Sequence, residues 1–201
     1  VPETNLTGSR EVTLQFIITG TMGGDLRPIT VSETRTIKVA SQVTLFSKAV
    51  YSTGPFENTG PIPPKAGQAT TYSILWSVSN TQNDLNDAKV TAKLGNNVKW
   101  LKADEDTESV SYDEAARTVT WNLGGLVSGT GFSQPERSAA IQVELAPTAV
   151  QVGTAPNLLT NIVFSAFDIV QDKTINTTSG ALNTRLSSDP VFIQGDDIVV
   201  K

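Results

Sequence analysis

The chain has 201 residues, of which 38% are apolar and only 17% charged, with 15 Lys and Arg against 20 Asp and Glu for a net charge of −5. That balance excludes nucleic acid as a partner, because neutralising phosphates takes a dense field of Lys and Arg. Neither Cys nor His occurs, which removes disulfides, Cys/His zinc sites, thiol nucleophiles, imidazole bases and Ser-His-Asp triads together.

In chain order, Glu11 to Thr19 alternates and then runs apolar, the pattern of a strand half exposed at one end and central at the other. Gly20, Gly23, Gly24 and Asp25 supply a turn into Ile29 to Val39, where Ile29, Val31, Ile37 and Val39 define the apolar side. Two strands alone are marginal in water, so this hairpin is expected to dock on something. Val43 to Tyr51 opens the next strand run, and the Pro- and Gly-rich segment that follows is predicted to run over the surface and cover a sheet edge. Ala69 to Ser79 is the strongest strand, with Tyr72, Ile74, Trp76 and Val78 on one face as predicted core. Asn80 to Asp87 is turn chemistry, since Asn and Asp hydrogen-bond their own backbone and tolerate left-handed conformations.

Ala88 to Leu94, Val98 to Leu101, Ser109 to Tyr112 and Arg117 to Leu123 are further predicted strands, the last placing Trp121 in the core. Gly124 to Pro135 is a second Gly-rich loop, and Ser138 to Leu145, Leu158 to Asp168 and Lys173 to Leu186 close the set. Short strands at regular spacing broken by turn signals predict an all-β, Ig-like antiparallel β-sandwich with Greek-key connections. No apolar stretch nears the roughly 20 residues that span a bilayer, and no polybasic run would bind anionic lipid, so no membrane contact is expected.

Phe16 to Val39 also resembles Val163 to Leu186: an apolar strand, an Asp-centred turn, a Thr-rich return strand and a closing basic residue. The expected organisation is therefore a terminal hairpin of a preceding unit in residues 1–41, one complete repeat in 42–187, and a tail or linker in 188–201 with a candidate strand at 191–200. That strand is a candidate to pair with the hairpin.

The order of YSILWSVSN, an Asn/Asp turn, AKVTAKL, VKWL and RTVTWNLG, with the late IQVELAP, is similar to the conserved-repeat Ig-like domains of bacterial and archaeal surface proteins. The likeness covers about Val43 to Leu186. It departs where the family has Leu-Pro before a turn and this chain has Leu94-Gly95. The resemblance implies an extracellular, cell-surface, non-catalytic stalk, surface-layer or adhesin module whose partners are neighbouring repeats or copies of itself.

Several residues are candidates for sharper chemistry. Asp104, Glu105, Asp106 and Glu108 form the chief carboxylate cluster, a calcium candidate that lacks a glycine-hinged ligand spacing and reads first as a solvated acidic turn. Lys48 on an early strand, with Asn161, Asp168 and Asn183 on late ones, is the set from which an intramolecular isopeptide crosslink could form, provided that Lys48 is buried beside an acid. Trp100, flanked by Lys99 and Lys102, is the tryptophan expected to be exposed, and it carries the alternative reading of a module binding cell-surface glycans. Asn5 and Asn176 lie in N-glycosylation patterns. Ser47-Lys48 and Asp113-Glu114 do not converge on a site, since neighbours on a strand point to opposite faces. No enzyme and no resident cofactor are expected.

Overall fold

The computed structural model describes residues 11–21, 23, 28–105 and 109–201. Its strands are β1 (Glu11–Thr21), β2 (Pro28–Lys38), β3 (Val43–Val50), β4 (Thr70–Asn80), β5 (Leu85–Leu94), β6 (Val98–Ala103), β7 (Val110–Asp113), β8 (Thr118–Leu126), β9 (Arg137–Leu145), β10 (Asn157–Asp168), β11 (Lys173–Ser179) and β12 (Leu182–Asn183). One 3-10 turn at Ala149–Gln151 interrupts the β order. The fold is an Ig-like antiparallel β-sandwich. One sheet runs β3-β4-β9-β6, and the other runs β11-β10-β5-β8-β7, with β12 also paired to β10.

The alternation read in β4 builds the core. Tyr72, Ile74, Trp76 and Val78 are each at most 1% exposed and face the other sheet, whose β5, β8 and β10 contribute Val90, Trp121, Ile162 and Phe164. Burial of that area is the main favourable term of folding. One open flank of the sandwich is closed by Trp100 of β6 stacked on Tyr112 of β7, with ring centres 5.7 Å apart and planes 11° from parallel.

The Pro- and Gly-rich segment between β3 and β4 meets the edge of β4 beyond the end of β3, where the Thr71 N–H donates to Thr59 O (2.8 Å), and it also lies over the outer face of the four-stranded sheet at that end. There the Asn58 amide donates to Ser73 Oγ (2.8 Å), and the Gln142 amide donates to Glu57 O (2.9 Å) and Asn58 Oδ1 (3.1 Å). Thr71 and Ser73, on the face of β4 away from the core, are consequently buried. One expectation is corrected: residues 191–200 form no strand along the hairpin. They fold back through turns onto the sandwich, where Val199 and Asp197 are buried and only Val200 bridges another segment, at Lys65.

The tail is fastened by a carboxylate. Asp189 accepts the backbone N–H groups of Tyr51 (2.6 Å) and Ser52 (2.7 Å) and the Ser52 hydroxyl, tying the chain end to the exit of β3. Arg185 adds an ion pair with Asp197 (3.0 Å). Leu94-Gly95 also gains a physical reason. The carbonyl of Asn157 occupies the place where a Cβ of residue 95 would sit, and the Gly95 N–H donates to Leu158 O (2.9 Å), a bond that proline could not make.

Candidate interaction site

β1 and β2 pair along their full length, from Glu11 opposite Lys38 to Thr21 opposite Pro28. Cross-strand partners share a face, so Val12, Leu14, Phe16 and Ile18 lie with Ile37, Arg35, Glu33 and Val31, and Ile29 extends the same side. The other face carries Thr13, Gln15, Thr19, Ser32, Thr34 and Thr36, with Ile17 as its apolar member. The hairpin is thus amphipathic, yet every residue of both strands is exposed. Phe16 is 55% exposed, Val31 61% and Ile18 73%, so no other described residue covers the apolar side. A contiguous apolar surface of this kind marks an interaction site.

The root of the hairpin is held firmly. Asp168, at the end of β10 and fully buried, accepts the Asn83 amide at both carboxylate oxygens (3.1 and 2.9 Å), Ser41 N–H (3.3 Å), and the N–H groups of Val170 and Gln171 (3.0 Å each). Asn83 also donates to Val39 O (2.8 Å), its own N–H is taken by Ser41 Oγ (2.6 Å), and the Gln171 amide donates to Lys38 O (2.8 Å). Burial by itself would raise the Asp168 carboxyl. The Asn83 amide and the three backbone donors outweigh it and hold the group below its ordinary value. The four residues between β2 and β3 are therefore anchored to the sandwich rather than free to swing.

A second feature is a groove of about 780 Å³ on the outer face of the four-stranded sheet, left open where the β3–β4 segment ends. Its floor is Leu75 and Ala140 with Ser77 and Ser138, contributed in adjacent rows by β4 and β9. Lys48 and Phe46 of β3 stand on one side, and Asp104 and Glu136 on the other. Phe46 is 54% exposed on the parity of β3 that faces away from the core.

The structure distributes the sequence candidates differently. Tyr72, Ile74, Trp76, Val78 and Trp121 all sit in the core. Trp100 is half-buried and packed against the core, with one ring face stacked on Tyr112. Asp104 turns to the groove; Glu105 is exposed, Asp106 and Glu108 lie outside the described residues, and no metal-holding group of three or more acids occurs among the described residues.

Of the crosslink set, Lys48 and Asn183 border one small cavity of about 230 Å³. Lys48 is only half-buried, however. Asp168 lies at the opposite end of β10 from the position paired with Asn183, and its oxygens are filled by the donors just named. Asn161 is exposed in a left-handed bulge (φ 51°). Lys48 and Asn183 are thus near one another while Asn161 and Asp168 lie apart from them, and among the described residues no carboxylate is paired with Lys48. Asn176 is exposed on β11, and Asn5 lies outside the described residues.

Sequence reasoning passed over Asn83, Asp189, Phe46 and Glu136. Phe46 alone left a signal, an aromatic on the outward parity of an alternating strand; the others act through partners distant in the chain.

No family model matches the chain, and no curated protein matches it. Among solved structures, it is similar to the major pilin subunit of Bacillus cereus (TM-score 0.42, 11% identity, covering 86% of this chain and 48% of the pilin). It is also similar to the major pilin SpaD of Corynebacterium diphtheriae (TM-score 0.39, 11% identity, 69% of this chain and 33% of that one). A Mu homology domain from Danio rerio is a further similar structure (TM-score 0.37, 13% identity, 77% and 52%). The chain spans about half the length of the Bacillus pilin that it matches, and the likeness is one of strand arrangement alone.

Proposed function

We propose that this chain is a non-catalytic structural module of a bacterial surface protein, working outside the cell, and that it joins a neighbouring module through the β1–β2 hairpin. The observation that carries this reading is the hairpin itself: a fully paired, amphipathic ribbon, anchored at its root, whose apolar face is exposed among the described residues. A rigid prong loses little freedom on docking, which favours affinity per unit of surface buried. The polar groups buried elsewhere serve the architecture. Asp168 and Asn83 hold the hairpin root, and Asp189 fastens the tail. The likeness of Val43 to Leu186 to repeat domains of envelope proteins supports the surface setting.

Light scattering of the 201-residue chain over a concentration series tests the reading. Mass that rises with concentration for the parent chain and stays monomeric for Phe16→Asp is the expected result. A parent chain that remains monomeric throughout would overturn it.

A further inference from the structure

The hairpin needs a receiving surface, and the outer-face groove has the complementary shape and charge. The floor carries an apolar row, Leu75 and Ala140, beside a hydroxyl row, Ser77 and Ser138, and it is walled by a cation, Lys48, on the β3 side and by two carboxylates, Asp104 and Glu136, on the far side. The apolar face of the hairpin carries the opposite arrangement. Glu33 and Arg35 sit together in the middle of it, between Val31 and Ile37, paired at 2.5 Å and largely exposed.

We propose that the β1–β2 hairpin of one copy of this chain seats its apolar face in the groove over β3, β4 and β9 of a second copy, a proposal that rests on the hairpin being the joining element.

Glu33 and Arg35 are two residues apart on β2, roughly 7 Å, while Asp104 stands beside Ala140 three strand spacings from Lys48, about 14 Å, and Glu136 lies four residues before Ala140, about 16 Å from Lys48. A crosswise seat therefore uses the long, extended side chains of Lys48, Arg35 and the carboxylates to make up the difference. With β2 laid across the strands, Glu33 meets Lys48 and Arg35 meets Glu136 and Asp104, while Phe16 and Ile18 rest on Leu75, Ala140 and the exposed ring of Phe46. Near-perpendicular packing of sheets is one of the two arrangements that twisted sheets adopt. Exposed as it is, the Glu33–Arg35 pair contributes little to the free chain. In the groove each partner gains an opposite charge from the second copy, which fixes the register as well as the affinity.

The contact is heterologous, since a hairpin meets a groove. The hairpin of the second copy remains free to engage a third, and association continues into linear arrays instead of stopping at a pair. Two hairpins stacked face to face would also hide their apolar sides, but they would stop at two copies and leave the groove unfilled.

Charge reversal in the full chain tests the pairing by sedimentation velocity across a concentration series. Lys48→Glu alone and Glu33→Lys alone are each expected to weaken association on the order of tenfold, and the double variant to restore most of it. Glu136→Lys with Arg35→Glu provides a second, independent pair. Both sites face outward, so circular dichroism and Tm should stay close to those of the parent chain. Assembly that depends on Phe16 yet ignores Lys48→Glu and Glu136→Lys would overturn the groove while leaving the hairpin as the joining element. Growth that stops at two copies would overturn it in favour of face-to-face hairpins. A parent chain that never associates would overturn both.

Discussion

Replacing Asp168 tests whether the hairpin root is built as described. The carboxylate is fully buried and accepts five hydrogen bonds, with no cation among its partners. Bonds to a charged acceptor contribute about 1.5–3 kcal/mol each, though they do not add simply. Asp168→Ala orphans the Asn83 amide and the N–H groups of Ser41, Val170 and Gln171, and is expected to cost about 4 kcal/mol. Asp168→Asn keeps one acceptor oxygen and sets an NH2 against donors, for about 2 kcal/mol.

The pH dependence has a definite sign. Because the folded carboxyl titrates below its reference value of 3.8, its contribution is fully present above that value and is lost as pH falls through the folded one. Urea unfolding followed by the fluorescence of buried Trp76 and Trp121 at pH 7, 5 and 3 gives the comparison. The gap between the parent chain and Asp168→Asn should be constant from pH 7 to 5 and narrow toward pH 3. A gap that widens as pH falls would show that burial, not hydrogen bonding, governs Asp168, and would refute the account of the root.

Asp189→Asn should release the tail from the β3 exit, seen as proteolytic cleavage near residues 190–196 that the parent chain resists, with the sandwich left folded. Cleavage no faster than in the parent chain would count against that carboxylate as the fastener. Gly95→Ala forces a Cβ onto the Asn157 carbonyl and threatens the Arg117 bonds to Gly95 O (2.6 Å) and Val98 O (3.0 Å). A loss of about 3 kcal/mol in urea unfolding is expected, in the range of strained buried substitutions, and a loss under about 0.5 kcal/mol, the surface norm, would contradict the close approach.

Strands and core were legible because both depend on local alternation. The faces of β4 and β8 could be assigned from residues two apart, and Trp76 and Trp121 fell where that parity put them. Polar architecture was not legible, because its partners meet across long stretches of chain. Asn83 and Asp168 are 85 residues apart, and Tyr51 and Asp189 138 apart. Asn83 looked like one more turn residue in an Asn/Asp-rich stretch, yet it is fully buried and joins β10 to the hairpin root. Residues 191–200 misled for the opposite reason. Their apolar content suggests a strand, but a strand requires a free edge to pair with, and backbone bonds from Val199 and Val200 to Gly153, Thr154, Pro64 and Ala66 hold the segment end in a crevice instead.

The likeness between the two hairpins can be tested by parity. Setting Phe16 to Val39 against Val163 to Leu186 places Ile17 at Phe164 and Thr19 at Ala166, and one step before the segments Gln15 at Ile162, three of the positions that β10 buries. A hairpin docking as β10 does in that register would bury Gln15, Ile17 and Thr19 and leave Phe16 and Ile18 in solvent. The cross-strand pairs of β1 and β2 argue the reverse, since Phe16 and Ile18 share a face with Leu14, Val31 and Ile37 while Ile17 stands among threonines and a glutamine. A slip of one residue exchanges the two faces completely, so single carboxylates at neighbouring positions separate the alternatives. Both side chains are exposed in the free chain, so neither substitution should disturb the sandwich. Phe16→Asp should abolish association in light scattering, and Ile17→Asp should leave it within about threefold of the parent chain, the surface-substitution range of ±0.5 kcal/mol. The opposite pattern would mean that the hairpin engages its partner as β10 engages its own sandwich, and the receiving surface would then be a sheet edge of the neighbouring module.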